Sequence, residues 1–221
     1  MDSFIVSYLR YFSNRLLGMK NSPIYPIFLD FNGMYGDFIA FLINSFKKRG
    51  TQTRNTIDDY LQYMEDAFLV QEAKRFDVRG KEYISGQQKY YFTDLGLRNA
   101  RLNFRQFDRP RLLENAVYNE LIMRGYRVDV GCVKAKVKNE DGKWGYKNLE
   151  ADFVVHDPEK QMYIQVTEGI DDIGKKEQKM ASLMHIRDGF PKMILMDQDV
   201  PPHYLDNGIQ VMSIQDFMLK Y

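Results

Sequence analysis

The sequence predicts an α/β protein (α+β overall) in which a helical N-terminal part precedes a C-terminal mixed sheet flanked by helices. Apolar residues recur at helical spacing through most of the first 70 positions. From residue 126 onwards, short β-branched and aromatic runs alternate with turn residues and helical stretches. We therefore expect a helical domain over residues 1–100, a linker over 101–110 and an α/β domain over 111–221.

The composition limits the classes of function. The 221 residues are 44% hydrophobic, which is enough for a buried core, and the net charge is only +1. A single cysteine, Cys132, excludes an internal disulfide and a cysteine-based zinc site. No apolar run approaches the roughly 20 residues of a membrane span, and no secretory leader is visible. We expect a cytoplasmic protein without a membrane partner.

The N-terminal part has the pattern of helices followed by a hairpin. Apolar positions recur at helical spacing through residues 4–46. The clearest helix is predicted over residues 55–70, where Asn55 is a suitable N-cap. Two alternating segments follow, at Val70–Val78 and Lys89–Thr93. Helix, turn, helix and two-stranded hairpin is the order of a winged helix-turn-helix, so we expect a winged-helix-like domain.

Basic residues surround this predicted motif. The candidate nucleic-acid-binding residues are Lys47, Lys48, Arg49 and Arg54. The helix that would enter a DNA groove, however, carries acidic side chains at Asp58, Asp59, Glu65 and Asp66. Because phosphates repel carboxylates, we favour a structural or protein-binding winged helix over one that recognises a DNA sequence.

The second half alternates helices and strands. The predicted elements are a helix over Arg111–Arg124 ended by Gly125, a strand over 126–130, a polar insertion over 134–148, a hairpin over 149–167, a helix over 171–189, strands over 192–196 and 209–214, and a helix over 215–220. An antiparallel opening followed by a crossover helix predicts a mixed sheet.

This order of elements resembles the restriction-endonuclease-like fold. In that fold a helix carboxylate, a strand aspartate and a Glu-x-Lys on the next strand hold a Mg²⁺ ion that activates water. Glu114 and Asp152 stand at the first two positions, whereas Gln165 and Thr167 replace Glu-x-Lys on one face of their strand. The candidate catalytic residues are thus Glu114, Asp152 and Gln165, and the candidate metal ligands are Glu114 and Asp152.

The same residues also have structural explanations. Glu114 suits a position near a helix start, Asp152 can bond backbone groups at a strand end, and Gln165 can be a buried amide with hydrogen-bonded partners. The lysines that would have to replace the missing one are Lys175, Lys176 and Lys179. We expect a non-catalytic protein; the alternative is a Mg²⁺-dependent nuclease with a rearranged PD-(D/E)XK site, and Mg²⁺ is a cofactor only in that case.

Five segments in order resemble the C-terminal half of prokaryotic AAA-type ATP-binding proteins, a domain of unknown function. They are Asn55–Val70, Lys89–Ala100, Leu113–Leu121, Glu150–Val154 and Tyr163–Val166. The resemblance covers about residues 30 to 220. That family also tends to have Ile-Gln-Val at the second strand of the hairpin, which implies that the loss of Glu-x-Lys is a family feature.

The resemblance implies an interaction or regulatory module. Members of that family carry a P-loop ATPase module ahead of this region, but no Gly-x-x-x-x-Gly-Lys-Ser/Thr occurs in the present chain. We therefore expect no ATP site of that kind here. The partners that the resemblance implies are a AAA-type ATPase module, another protein or DNA.

Overall fold

A computed structural model describes most of the second half of the chain and part of the first. The described residues are 61–101, 108–138, 143–157, 160–169 and 180–220. By compactness the chain divides into two units, residues 1–69 with 96–105 and residues 70–95 with 106–221. The predicted domains (1–100, 101–110 and 111–221) stay a prediction.

The first unit is described only from residue 61. Residues 61–66 are helical and are the described part of the helix predicted over 55–70. The helix ends earlier than predicted because Phe68 adopts a left-handed backbone conformation, with φ of 55°. The Phe68 side chain is exposed instead of lying on a buried stripe. The candidate nucleic-acid-binding residues Lys47, Lys48, Arg49 and Arg54 lie outside the described residues.

The second unit is built on one mixed sheet of eight strands. They are β1 (Val70–Asp77), β2 (Glu82–Phe92), β3 (Arg127–Lys138), β4 (Trp144–His156), β5 (Gln161–Thr167), β6 (Lys192–Met196), β7 (His203–Tyr204) and β8 (Gln210–Ser213). Their spatial order is β2-β1-β3-β4-β5-β6-β8-β7. Strands β3, β4 and β5 are antiparallel neighbours, while β5, β6 and β8 are parallel. The predicted mixed sheet of an α/β protein is confirmed.

Helix α1 (Leu95–Arg101) belongs almost entirely to the first unit. The sheet of the second unit is flanked by helices α2 (Arg109–Met123) and α3 (Ile214–Lys220) and by the helical residues 180–185. Helix α2 begins within the predicted linker, since the Asp108 side chain caps it and Pro110 occupies its first turn. A proline fits there because the first turn needs no backbone donor. Gly125 follows the helix with φ of 85°, as its predicted stop requires.

The helical layers lie on both faces of the sheet. Neighbouring strand residues point to opposite faces, so Phe153 and Val154 face different layers. The Phe153 ring packs on Tyr118 of α2, whereas Val154 belongs to a core cluster with Leu183 of the helical segment 180–185. No helix among the described residues is long and apolar enough to cross a membrane.

Two predicted segments have a different place in the fold. The hairpin predicted as a wing is present as β1 and β2, but β1 also pairs in parallel with β3, so the hairpin lies within the large sheet. The insertion predicted over 134–148 is mostly extended strand. Its lysines alternate with Val133, Ala135 and Val137, which is a strand pattern with one polar face.

Candidate functional site

A bulge in β4 positions Asp152. Opposite the single residue Val130 of β3, β4 carries two residues, Asp152 and Phe153, because the register shifts at this point. The next residue of β3 is Gly131, and a Cβ atom there would lie only 3.0 Å from the Cβ of Ala151. Glycine therefore permits the close approach of the two strands. A bulge re-aims a side chain, and here it accompanies the contact of Asp152 with β5.

The Asp152 carboxylate is bonded across the sheet to Gln165. Its Oδ2 atom accepts a hydrogen bond of 2.6 Å from Gln165 Nε2 and one of 2.8 Å from the backbone N–H of Val166. Gln165 Oε1 accepts a 3.1 Å bond from the hydroxyl of Ser182. Asp152, Gln165 and Ser182 are all buried. We call this chain of side chains the Asp152–Gln165–Ser182 network.

The amide of Gln165 donates to the Asp152 carboxylate at a position where a glutamate could not. A glutamate there would place a second carboxylate about 2.6 Å from Asp152, and two buried carboxylates need a proton or a cation between them. Glutamine supplies its own N–H donor to Asp152 and turns its carbonyl oxygen to Ser182. The position is therefore satisfied without added charge.

Glu114 forms a second group of contacts, on the α2 side of the sheet. Its Oε1 atom accepts 2.9 Å and 2.5 Å hydrogen bonds from Lys89 Nζ and the Tyr91 hydroxyl, both from β2. Lys89 Nζ also lies 2.7 Å from Glu150 of β4. Arg75 of β1 forms a 3.0 Å ion pair with Glu150. We call these five residues the Lys89–Glu114 cluster; it joins α2 to three strands.

Electrostatics keep Lys89 and Tyr91 of this cluster protonated. Burial lowers the pKa of Lys89, but the neighbouring charges of Glu114 and Glu150 outweigh that effect and raise it, so the amine stays protonated. Burial raises the pKa of Tyr91, and the charges of Glu114, Asp152 and Glu150 raise it further. The Tyr91 hydroxyl is thus a permanent donor at neutral pH.

Glu114 and Gln165 have hydrogen-bond partners in different layers, while the charge of Asp152 reaches Tyr91, a partner of Glu114. Glu114 lies in the α2 layer with Lys89 and Tyr91, while Gln165 reaches Ser182 in the opposite helical layer. Within the described ranges, no group of three or more histidine, cysteine, aspartate or glutamate side chains has the arrangement of a metal site. The lysines named as replacements for the missing one, Lys175, Lys176 and Lys179, lie outside those ranges.

Sequence reasoning named Glu114, Asp152 and Gln165 but missed their partners. Lys89 and Tyr91 are two residues apart in β2, and this spacing places both side chains on one face of a strand. A lysine in the aromatic run Lys-Tyr-Tyr-Phe is the signal that would have indicated a paired amine. Ser182 had no such signal, since a serine in a polar helix is ordinary.

The chain is similar to a domain of unknown function and to uncharacterized proteins, so these similarities do not indicate what it does. Residues 41–108 match a family model described as a domain of unknown function, DUF8612. The chain is 31% identical over 191 residues to an uncharacterized protein of Haemophilus influenzae, covering 83% of the chain and 44% of that relative. It is 30% identical over 149 residues to an uncharacterized protein of Methanocaldococcus jannaschii, covering 66% of the chain and 30% of that relative.

The chain thus spans less than half the length of these two relatives. No solved structure matches it.

Proposed function

We propose that this protein is a non-catalytic interaction or regulatory module, related to the C-terminal portion of AAA-type ATP-binding proteins, that binds a protein or nucleic-acid partner. The observation that carries the proposal is the Asp152–Gln165–Ser182 network. Its residues Asp152 and Gln165 are those expected at the strand positions of a restriction-endonuclease-like metal site, and an amide and a backbone N–H donate to the carboxylate there. The greater length of the two relatives is consistent with a module that functions beside a further domain.

The test is an assay of DNA cleavage by the full chain. Supercoiled plasmid and single-stranded DNA are incubated with an excess of protein in Mg²⁺ and in Mn²⁺, with Asp152→Asn as the matched variant. We expect the same background level of cleavage with both proteins, because the Asp152 carboxylate is hydrogen-bonded to Gln165. Metal-dependent cleavage by the wild type that disappears in Asp152→Asn overturns the proposal.

A metal-dependent nuclease is the second candidate, and one observation favours it. Lys89 Nζ lies within 3 Å of both Glu114 and Glu150, so a lysine is present beside the helix carboxylate although it comes from β2 instead of β5. In a nuclease with this rearrangement, Lys89 would orient the attacking water and Glu114 would be a metal ligand.

The two candidates differ in what Lys89→Met does. If the cluster is structural, the substitution lowers stability and leaves the cleavage background unchanged. If it is catalytic, metal-dependent cleavage falls at least 100-fold, on the order of the loss of a positioned acid–base group, while Lys160→Met, at an exposed turn lysine, changes nothing. A loss in Lys89→Met alone selects the nuclease.

A further inference from the structure

A two-stranded ribbon projects from the sheet beyond the Lys89–Glu114 cluster. It consists of residues 133–138 of β3 and 144–149 of β4, which among the described strands pair only with each other. On one face Val133 and Ala135 are buried. The ribbon is therefore anchored on one side and presents the other to solvent.

The solvent face of the ribbon alternates cations with aromatic rings. Lys136 stands opposite Tyr146, and Lys134 stands opposite Asn148; residues directly opposite in an antiparallel pair point to the same face. Trp144 lies two residues from Tyr146 and shares that face. Trp144 is 61% exposed and Tyr146 is 73% exposed. Lys136 Nζ lies 5.2 Å from the centre of the Trp144 ring.

We propose that this ribbon face binds single-stranded nucleic acid. Exposed aromatic rings offer surfaces on which unpaired bases stack, and lysines beside them contact the phosphates between the bases. Successive residues on one face of a strand are about 6.8 Å apart, which is about twice the 3.4 Å rise per nucleotide of a duplex strand. Trp144 and Tyr146 therefore match an extended single strand better than a stacked duplex.

The positive charges on the ribbon also favour a nucleic-acid ligand. Lys134 and Lys136 are both exposed on the face that carries the two rings, and Lys143 is exposed directly before Trp144. The Lys134 amine has a carboxylate contact, Asp77 Oδ2 at 3.6 Å, which is too long for a strong pair. A patch of exposed lysines beside two exposed rings complements a polyanion with planar bases. The overall net charge of +1 is no obstacle, because the patch is local.

This inference deepens the proposed function by naming its partner class, and its test is independent of cleavage. Trp144 is the only tryptophan in the chain, so its fluorescence reports on the ribbon directly. The full chain is titrated with oligothymidylate, with oligouridylate and with a duplex, in salt raised from about 50 mM to about 200 mM. We expect saturable quenching by both single strands, weaker quenching by the duplex, and loss of affinity with salt.

Three variants identify the contacts. Tyr146→Ala keeps the fluorescent ring and should weaken binding about fivefold or more, the usual effect of losing one stacked base. Lys136→Gln should reduce the slope of log affinity against log salt by about 0.7, the value for one phosphate contact with a single strand. Tyr204→Ala removes an equally exposed tyrosine from β7, at the far edge of the sheet, and should change neither quantity.

Other results overturn the inference. Absence of saturable quenching at the lowest salt does so, and so does equal weakening by Tyr146→Ala and Tyr204→Ala. Tighter binding of the duplex, or a blue shift of Trp144 emission on vesicles of phosphatidylglycerol but not on nucleic acid, assigns the face to another ligand. In each case a chain without Asp152-dependent cleavage still supports the non-catalytic proposal, whose partner is then a protein or another ligand.

Discussion

The side chain of residue 165 decides what the hairpin β4–β5 can do. An acid at this position pairs with Asp152 only through a cation or a proton, whereas the amide pairs with it directly. The Gln165 amide lies 2.6 Å from Asp152 and its carbonyl oxygen lies 3.1 Å from Ser182. Both the amide nitrogen and the carbonyl oxygen of Gln165 are thus hydrogen-bonded. Gln165 is buried, and an unpaired polar group in a buried position costs about 1–3 kcal/mol.

Gln165→Glu is expected to lower the free energy of unfolding by about 3 kcal/mol at neutral pH, because it buries two adjacent carboxylates. One of the two then has a raised pKa, so the loss is full only above that raised pKa and shrinks as the pH falls from it towards the ordinary glutamate pKa of about 4.3. Urea unfolding over a pH series measures it. Gln165→Met is the control: it removes the same bonds without charge, and its deficit should not shrink in the same way.

Asp77 provides a separate test of acid sensitivity. Its Oδ1 atom accepts hydrogen bonds from the backbone N–H groups of Gly80 at 3.1 Å and Arg79 at 3.0 Å. The bond from Gly80, more than any other contact, lowers the pKa of Asp77 below its ordinary value of 3.8.

A lowered folded-state pKa gives stability that is present above pH 3.8 and lost as the pH falls through the folded value. Asp77→Asn should therefore be less stable than the wild type by about 1 kcal/mol at pH 7. The difference should close in acid, which denaturant titration at several pH values would measure. A difference that is constant with pH would show that the charge of Asp77 contributes nothing.

Among the elements, those fixed by local pattern were predicted well. The stop of α2 at Gly125 needed only a residue that tolerates positive φ, and the hairpin 149–167 needed only two apolar runs around a turn. The places of β1 and β2 could not be predicted, because parallel pairing of β1 with β3 depends on residues more than 50 positions apart. The ribbon was missed because its lysines suggested a loop, although they alternate with buried Val133 and Ala135.

The same limit applies to the candidate site. Asp152 and Gln165 were named because a helix, a strand and the next strand follow a known order, and this order is local information. The bulge that positions Asp152 arises from a register shift between β3 and β4. No residue type in the sequence predicts such a shift. Lys89 contacts Glu114 and Glu150 only because the β1–β2 hairpin is part of the large sheet, and that pairing could not be predicted.

Helices α2 and α3 are joined through one arginine. Arg124 Nε donates a 2.8 Å bond to the buried Glu120 carboxylate, and Arg124 Nη2 donates a 2.8 Å bond to the carbonyl oxygen of Phe217. Arg124→Ala leaves Glu120 buried without its cation, so we expect a loss of about 3 kcal/mol.

Hydrogen exchange should locate the effect, with faster exchange over residues 214–220. Arg124→Lys is the matched variant: it keeps a cation near Glu120 but cannot donate in two directions. Its stability should fall less, while exchange in α3 should still rise. Equal exchange in α3 for wild type and Arg124→Ala would contradict this role of Arg124.

At the scale of the whole molecule, the described part of the second unit is a sheet with two polar groups of side chains, and the charge of Asp152 in one acts on Tyr91 in the other. The Asp152–Gln165–Ser182 network connects β4, β5 and one helical layer, and the Lys89–Glu114 cluster connects β2, β1, β4 and α2. Both have the composition of a catalytic centre, yet each carboxylate described above has a donor from the chain. This pairing within the chain is what we expect of the proposed non-catalytic module.

Thermal unfolding with and without divalent cations tests this claim most directly. A metal bound to the native state raises stability by an amount that grows with its concentration. We predict that neither Mg²⁺ nor Mn²⁺ raises the Tm of the wild type more than that of Asp152→Asn, and that Asp152→Asn is less stable in both conditions. A rise in Tm with Mn²⁺ in the wild type that is absent in Asp152→Asn would contradict the account.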